Sequence, residues 1–161
     1  MTNNDVFRRL RYALNLNTQT VVEAFRLSDM KMGQADITSL AKKEGEEGFR
    51  ECGDEVLEAF LDGLIALKRG RREGEPETSN PAATQLTNND ILKKIRIALA
   101  LKEDEMLALF KLAHFPVSKS ELSAVFRAKG QDNYKPCGDQ MLRNFLQGLT
   151  AKYREGVQKK G

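Results

Sequence analysis

The stretch "TNNDVFRRLRYALNL", residues 2–16, returns as "TNNDILKKIRIALAL" at residues 87–101, a step of 85. Held at that step without a gap, residues 2–69 lie on residues 87–154, and 21 of those 68 positions are identical. That is several times what chance pairing gives, so the chain is a tandem repeat. Phe25 meets Phe110, Leu27 meets Leu112 and Gly45 meets Gly130, and "CGDEVLEAFLDGLIALKR" from Cys52 lies on "CGDQMLRNFLQGLTAKYR" from Cys137. The stretch between the copies, "GRREGEPETSNPAATQL", is rich in Gly, Pro, Glu, Ser and Thr and has no apolar period, the composition of a solvated linker. The division is a first repeat at 1–70, a flexible linker at 71–86, a second repeat at 87–157 and a basic tail at 158–161.

Each copy reads as helical. Val6, Phe7, Leu10, Ala13 and Leu14 recur at steps of three and four, as do Val21, Val22 and Phe25, then Ile37, Leu40 and Ala41, then Leu57, Phe60, Leu61 and Leu64. The second copy repeats the rhythm, and no stretch alternates with period two. Thr2 and Thr87 stand three residues before Asp5 and Asp90, and Ser118 three before Glu121, the spacing of a capping box; Gly33 with Asp36 is a weaker form. The fold class is therefore all-α, two homologous four-helix repeats, each with a helix-turn-helix-like pair formed by its second and third helices across "SDMKMG" or "HFPVS".

A chain of 161 residues has room for a sizeable core. Its apolar runs fall far short of the roughly 20 residues that cross a bilayer, and "MTNNDVFRRL" holds no apolar signal core. Two cysteines 85 positions apart are no disulfide framework. The expectation is a cytoplasmic protein with reduced thiols and no membrane partner.

Cysteine, glycine and aspartate stand ahead of the last helix of both copies: Cys52, Gly53, Asp54 and Cys137, Gly138, Asp139. A thiolate at a helix start is a candidate nucleophile, but it needs a base held against the sulfur. The one histidine by type, His114, is matched by Asp29 in the first copy. Two cysteines and one histidine also lack the paired spacings of zinc sites. The six residues therefore read as structural: a small apolar side chain, a permissive entry, and an aspartate cap for the helix. Gly63 and Gly148, inside that helix, read as sites where another helix comes close, since interior glycine otherwise costs about 1 kcal/mol. His114, between Ala113 and Phe115, reads as a partly buried turn residue. No cofactor, metal or small-molecule ligand is implied.

Charge separates the copies. Residues 1–70 carry 10 basic against 12 acidic residues, while residues 87–161 carry 14 against 8, a net of +6 within a chain of +3. The third helix of the second copy would present Lys119, Ser120, Ser123 and Arg127, with Lys93, Lys94 and Arg96 on the first helix in support. These are residue types that contact phosphates and base edges.

The paired openings "TNNDVFRRLRYALNL" and closings "CGDEVLEAFLDGLI" resemble the YehS-like family of bacterial proteins, a tandem domain of unknown function. The resemblance covers the chain except its linker and implies a bacterial, cytoplasmic, all-helical protein; it assigns no activity or site residue. The leading expectation is a non-enzymatic binding module of regulatory character, contacting nucleic acid through the basic second repeat. The alternatives are a protein-interaction or self-association module and, third, a thiol-dependent enzyme or redox protein.

Overall fold

Thr2 and Thr87 start the first helix of each repeat by the same reciprocal pair of bonds. Each hydroxyl accepts the N–H of the aspartate three residues on (3.1 Å), and that aspartate accepts the threonine's own N–H. In the computed structural model, which describes residues 1–70, 85–128 and 130–155, the first repeat has α1 (Asn3–Ala13), α2 (Thr18–Leu27), α3 (Gln34–Ala41) and α4 (Asp54–Arg69). The second has α5 (Asn88–Leu99), α6 (Glu103–Leu112), α7 (Lys119–Val125) and α8 (Asp139–Leu149). The chain is all-α, and no strand occurs among the described residues. Residues 71–84 of the linker, and the tail at 158–161, lie outside the described residues. None of the described helices is long and apolar enough to cross a membrane.

The "TNND" and "CGD" motifs are two halves of one hydrogen-bonded network. Asn4 Nδ2 donates to the carbonyls of Leu40 (3.0 Å) and Arg50 (2.8 Å), and its Oδ1 accepts the Cys52 N–H at 2.9 Å. Asn89 does the same to Val125 (2.8 Å), Lys135 (3.0 Å) and Cys137 (2.8 Å). One side chain thus ends the third helix, holds the loop after it, and sets the start of the fourth. Among the described residues Asn4 is the polar residue buried in the core, and three bonds are what make that burial tolerable.

Asp54 and Asp139 do not cap their helices, contrary to the sequence reading. Gly53 and Gly138 hold the cap position with no side-chain cap bond, and each aspartate is the first helical residue. The carboxylates are drawn elsewhere. Asp54 Oδ1 accepts from Asn3 Nδ2 of its own repeat at 2.7 Å, and Oδ2 from the N–H of Leu86, just before the second repeat, at 3.1 Å. Asp139 Oδ1 accepts from Asn88 at 2.8 Å, and Oδ2 from the Met1 α-ammonium at 2.8 Å. Each aspartate clasps its own repeat to the head of the other one. That bond to Met1 and the bond to Asn88 hold the Asp139 carboxyl below its usual range.

The repeats therefore pack against each other with the same helix pairing at both seams. The first helix of each lies against the fourth of the other: α5 on α4, and α1 on α8 with its extension. A single cluster of buried apolar side chains runs through both, with Phe7, Phe25 and Phe60 in mutual contact in one repeat and Phe110 touching Phe145 in the other. Gly63 and Gly148 sit where helices cross. A Cβ on Gly63 would stand 1.8 Å from the Ala24 carbonyl oxygen, and one on Gly148 2.1 Å from that of Leu109.

The copies differ at the end of the fourth helix. α4 runs unbroken to Arg69, whereas α8 passes at Thr150 into a π-helical segment, Thr150–Glu155. Ile65 stands where the second copy has Thr150, whose hydroxyl donates back to the Leu146 carbonyl at 3.0 Å. Such back-bonding bends a helix.

Replacing Asn4 by alanine leaves a buried N–H and two carbonyls without partners and is expected to lower stability by about 3 kcal/mol, and Asn89→Ala by about 2 kcal/mol because Asn89 is only half-buried. Gly63→Ala is expected to cost about 2–4 kcal/mol by overpacking. At Gly53 an added Cβ meets nothing within 4 Å, and alanine costs about 1 kcal/mol or less. Urea denaturation of the four variants checks the ranking.

Candidate nucleic-acid interface

The last carbonyls of α7 are bonded from outside the helix. The Ala124 carbonyl accepts the Lys135 N–H at 3.1 Å, and the Val125 carbonyl accepts from Asn89. The helix stops at Val125, so Arg127 lies in the turn beyond it and not on the third helix as expected. The turn nevertheless returns Arg127 to the helix's outer face. Lys119, Ser120, Ser123 and Arg127 line one open concavity of about 680 Å³, joined by Asn133 and Lys135 from the following loop. All four sequence-selected residues are exposed. Among the described residues neither Lys119 nor Arg127 has an ion-pair partner.

Two carboxylates share this surface, Glu103 and Glu121. Glu121 is occupied: it accepts the Ser118 N–H at 3.3 Å as half of the α7 capping box and lies 3.7 Å from Lys135 Nζ. Those bonds, that of the Ser118 backbone first, hold its carboxyl below the usual range. The first repeat repeats the pair as Asp36 and Arg50, 3.1 Å apart. Its matching surface carries Gln34 and Ala35 where the second has Lys119 and Ser120.

The supporting residues of α5 divide. Lys93 is exposed and lies between Asn89 and Arg96 on the face of α5 turned to α7. Lys94 is not available. Its Nζ donates to Asp62 Oδ1 at 2.6 Å, with the two side chains only 14% and 17% exposed, across the seam between repeats. Arg96 is also committed: its Nε donates to the Leu101 carbonyl at 3.1 Å, and its guanidinium lies 4.6 Å over the Phe126 ring. Arg11 makes the same bond to Leu16 in the first repeat. Both corrections have one cause: charge counted along a helix does not say which cations other parts of the fold have already taken.

The thiols are buried and unpaired. Burial, with Asp54 adding to it and Arg50 opposing, pushes Cys52 up to about 12, and burial with Asp139 pushes Cys137 up to about 11. Each Sγ lies against the carbonyl of the glycine that follows. His114 is exposed, not partly buried, and sits at φ 57° in the left-handed turn that Asp29 makes at φ 59°. The position asks for a residue that tolerates that backbone, which aspartate and histidine both do. Among the described residues no three of His, Cys, Asp and Glu are grouped to hold a metal ion.

Sequence reasoning missed Asn3, Asn4, Asn88 and Asn89. The signal was present, since "NN" stands in both copies, but asparagine inside a helix start carries no pattern that names its partner 48 residues away.

A family described as "Protein of unknown function (DUF1456)" matches residues 3–70 and again 88–155. The Escherichia coli (strain K12) protein described as "Uncharacterized protein YehS" is 41% identical over 152 residues, which are 94% of this chain and 96% of that one. No solved structure matches.

With both thiols held protonated at neutral pH, a maleimide is expected to label native Cys52 and Cys137 no faster than the protein opens, and at once in urea. Rapid native labelling at pH 7.5 would contradict the burial.

Proposed function

From its place in the DUF1456 family, to which this chain belongs, and from its surface, we propose that it is a non-enzymatic binding module of regulatory character that contacts nucleic acid through its second repeat. The observation that carries this reading is the concavity over α7. It gathers Lys119, Ser120, Ser123 and Arg127 with Lys135 and Asn133, and leaves Lys119 and Arg127 unpaired among the described residues. Unpaired cations with short hydroxyl and amide side chains between them suit phosphate and sugar contacts, which position a protein on nucleic acid. Lys93 extends the surface; Lys94 and Arg96 belong to the fold. The α6–α7 pair, joined by residues 113–118, supplies a short outward helix of the kind a helix-turn-helix presents. The first repeat, net −2, is the acidic counterpart that keeps binding on one side. Two unpaired thiols fit a reducing, cytoplasmic setting.

A second reading, a protein-interaction module, draws on Ile97 and Leu112, which are 40% and 48% exposed in the same repeat.

Fluorescence-anisotropy titration with mixed-sequence DNA and RNA across a salt series tests the proposal. Affinity is expected to fall with salt, and Lys119→Ala with Arg127→Ala to weaken binding and reduce the log–log salt slope by about 2. No binding at low salt retires the reading in favour of protein association. Binding with an unchanged slope in the double variant moves it away from α7.

A further inference from the structure

The two seams between the repeats are equivalent by descent and unequal in charge. Where α5 meets α4, Lys94 is held by Asp62. Glu58 lies one turn earlier on α4, where burial pushes its carboxyl up and the charge of Lys94 opposes. At the other seam, 85 residues along, the places of Lys94, Asp62 and Glu58 are taken by Arg9, Gln147 and Arg143. Both carboxylates are gone and a cation replaces one of them.

The remaining charges on that side do not make up the loss. Arg8 is held by Asp5 at 2.5 Å. Arg154, on the π-helical segment, donates to the Tyr12 carbonyl (3.2 Å) and Asn15 Oδ1 (3.1 Å), with its guanidinium 4.1 Å over the Tyr12 ring. Asp139 is occupied by Asn88 and Met1. Arg9 has no hydrogen-bond or ion-pair partner among the described residues. Here the seam opens into a concavity of about 340 Å³ lined by Arg8, Arg9, Tyr12, Leu146, Gln147 and Thr150. The volume lies in the range of small-ligand sites. Tyr12, 53% exposed, gives it an apolar wall, with Leu146 buried behind it.

We propose that this concavity binds a small organic carboxylate, whose charged end takes the place beside Arg9 that the Asp62 carboxylate takes beside Lys94, and whose apolar body lies on Tyr12. A guanidinium presents its donors as a planar fork that matches a carboxylate, and a ligand here would restore the charge balance that the first seam has internally. The site is separate from the α7 surface and does not depend on nucleic-acid binding.

The test is a titration of the full chain with sodium benzoate, followed at the backbone amides by ¹⁵N NMR. Benzyl alcohol serves as the neutral analogue and inorganic phosphate as an anion without an apolar body. Benzoate is expected to give saturable shifts at Arg9, Tyr12, Gln147 and Thr150 in the millimolar range, and the two controls none that saturate. Gln147→Asp, which rebuilds the Lys94–Asp62 pair with Arg9, is expected to keep the fold and weaken benzoate about tenfold or more. Should that variant not fold, Arg9→Gln is expected to show the same loss. The proposal is overturned by shifts that do not saturate at these amides, by equal binding of either control, or by unchanged affinity in the folded variant.

Discussion

A single side-chain amide in each repeat decides how four short helices become a unit. Asn4 and Asn89 each hold three backbone groups that no helix or turn satisfies internally: a carbonyl at the end of the third helix, a loop carbonyl, and the N–H of the cysteine before the fourth. Buried backbone groups must find partners, and here those partners converge on one residue at the start of the first helix. Much of the rest depends on that point. The fourth helix begins where it does because Cys52 and Cys137 are pinned there, and the aspartates two residues on are then placed to reach across to the other repeat.

Duplication explains why the fold is a pseudo-dimer. The first helix of one repeat finds the fourth of the other, as subunits do across a twofold interface. What both copies kept is the skeleton of that arrangement: the threonine caps, the asparagine pairs, Cys-Gly-Asp, the helix-crossing glycines and the left-handed turn positions. Apolar core positions also diverged, as Phe7 against Leu92 and Ala24 against Leu109, but they stayed apolar, whereas charge changed on the surface and at the seams. Gln34 became the counterpart of Lys119, and Asp62 that of Gln147. The α7 surface and the open seam beside Arg9 both lie at such diverged positions, so the two surfaces with free cations are products of divergence on a shared frame.

The repeat, the helix count, the threonine caps and the close approach at Gly63 and Gly148 were legible in the sequence because each leaves a local trace: a period, a spacing, or a residue type out of place. Lys94 and Arg96 were misread because a cation's availability depends on groups distant in the chain, Asp62 in one case and the Phe126 ring in the other. Arg127 was placed on α7 because no local signal marks the stop at Val125, while the groups that bond the helix's last carbonyls, Lys135 and Asn89, are distant in the chain. Asp54 and Asp139 look like caps in any local reading; only the meeting of the repeats shows their carboxylates turned to Leu86 and Met1. The α7 concavity was partly legible, since hydroxyls and cations recur on one helical face, whereas Asn133 and Lys135 join it through the loop.

The most direct measurement of the central claim is native-state hydrogen exchange at the amides of Cys52 and Cys137. Both lie outside helices, where exchange is ordinarily fast. If each amide is held by its asparagine, Asn4 or Asn89, and the repeats form one body, both will exchange only through global unfolding, with the same free energy as the slowest core amides. Fast, loop-like exchange at either cysteine would contradict the asparagine network, and protection at two clearly different free energies would contradict the single body.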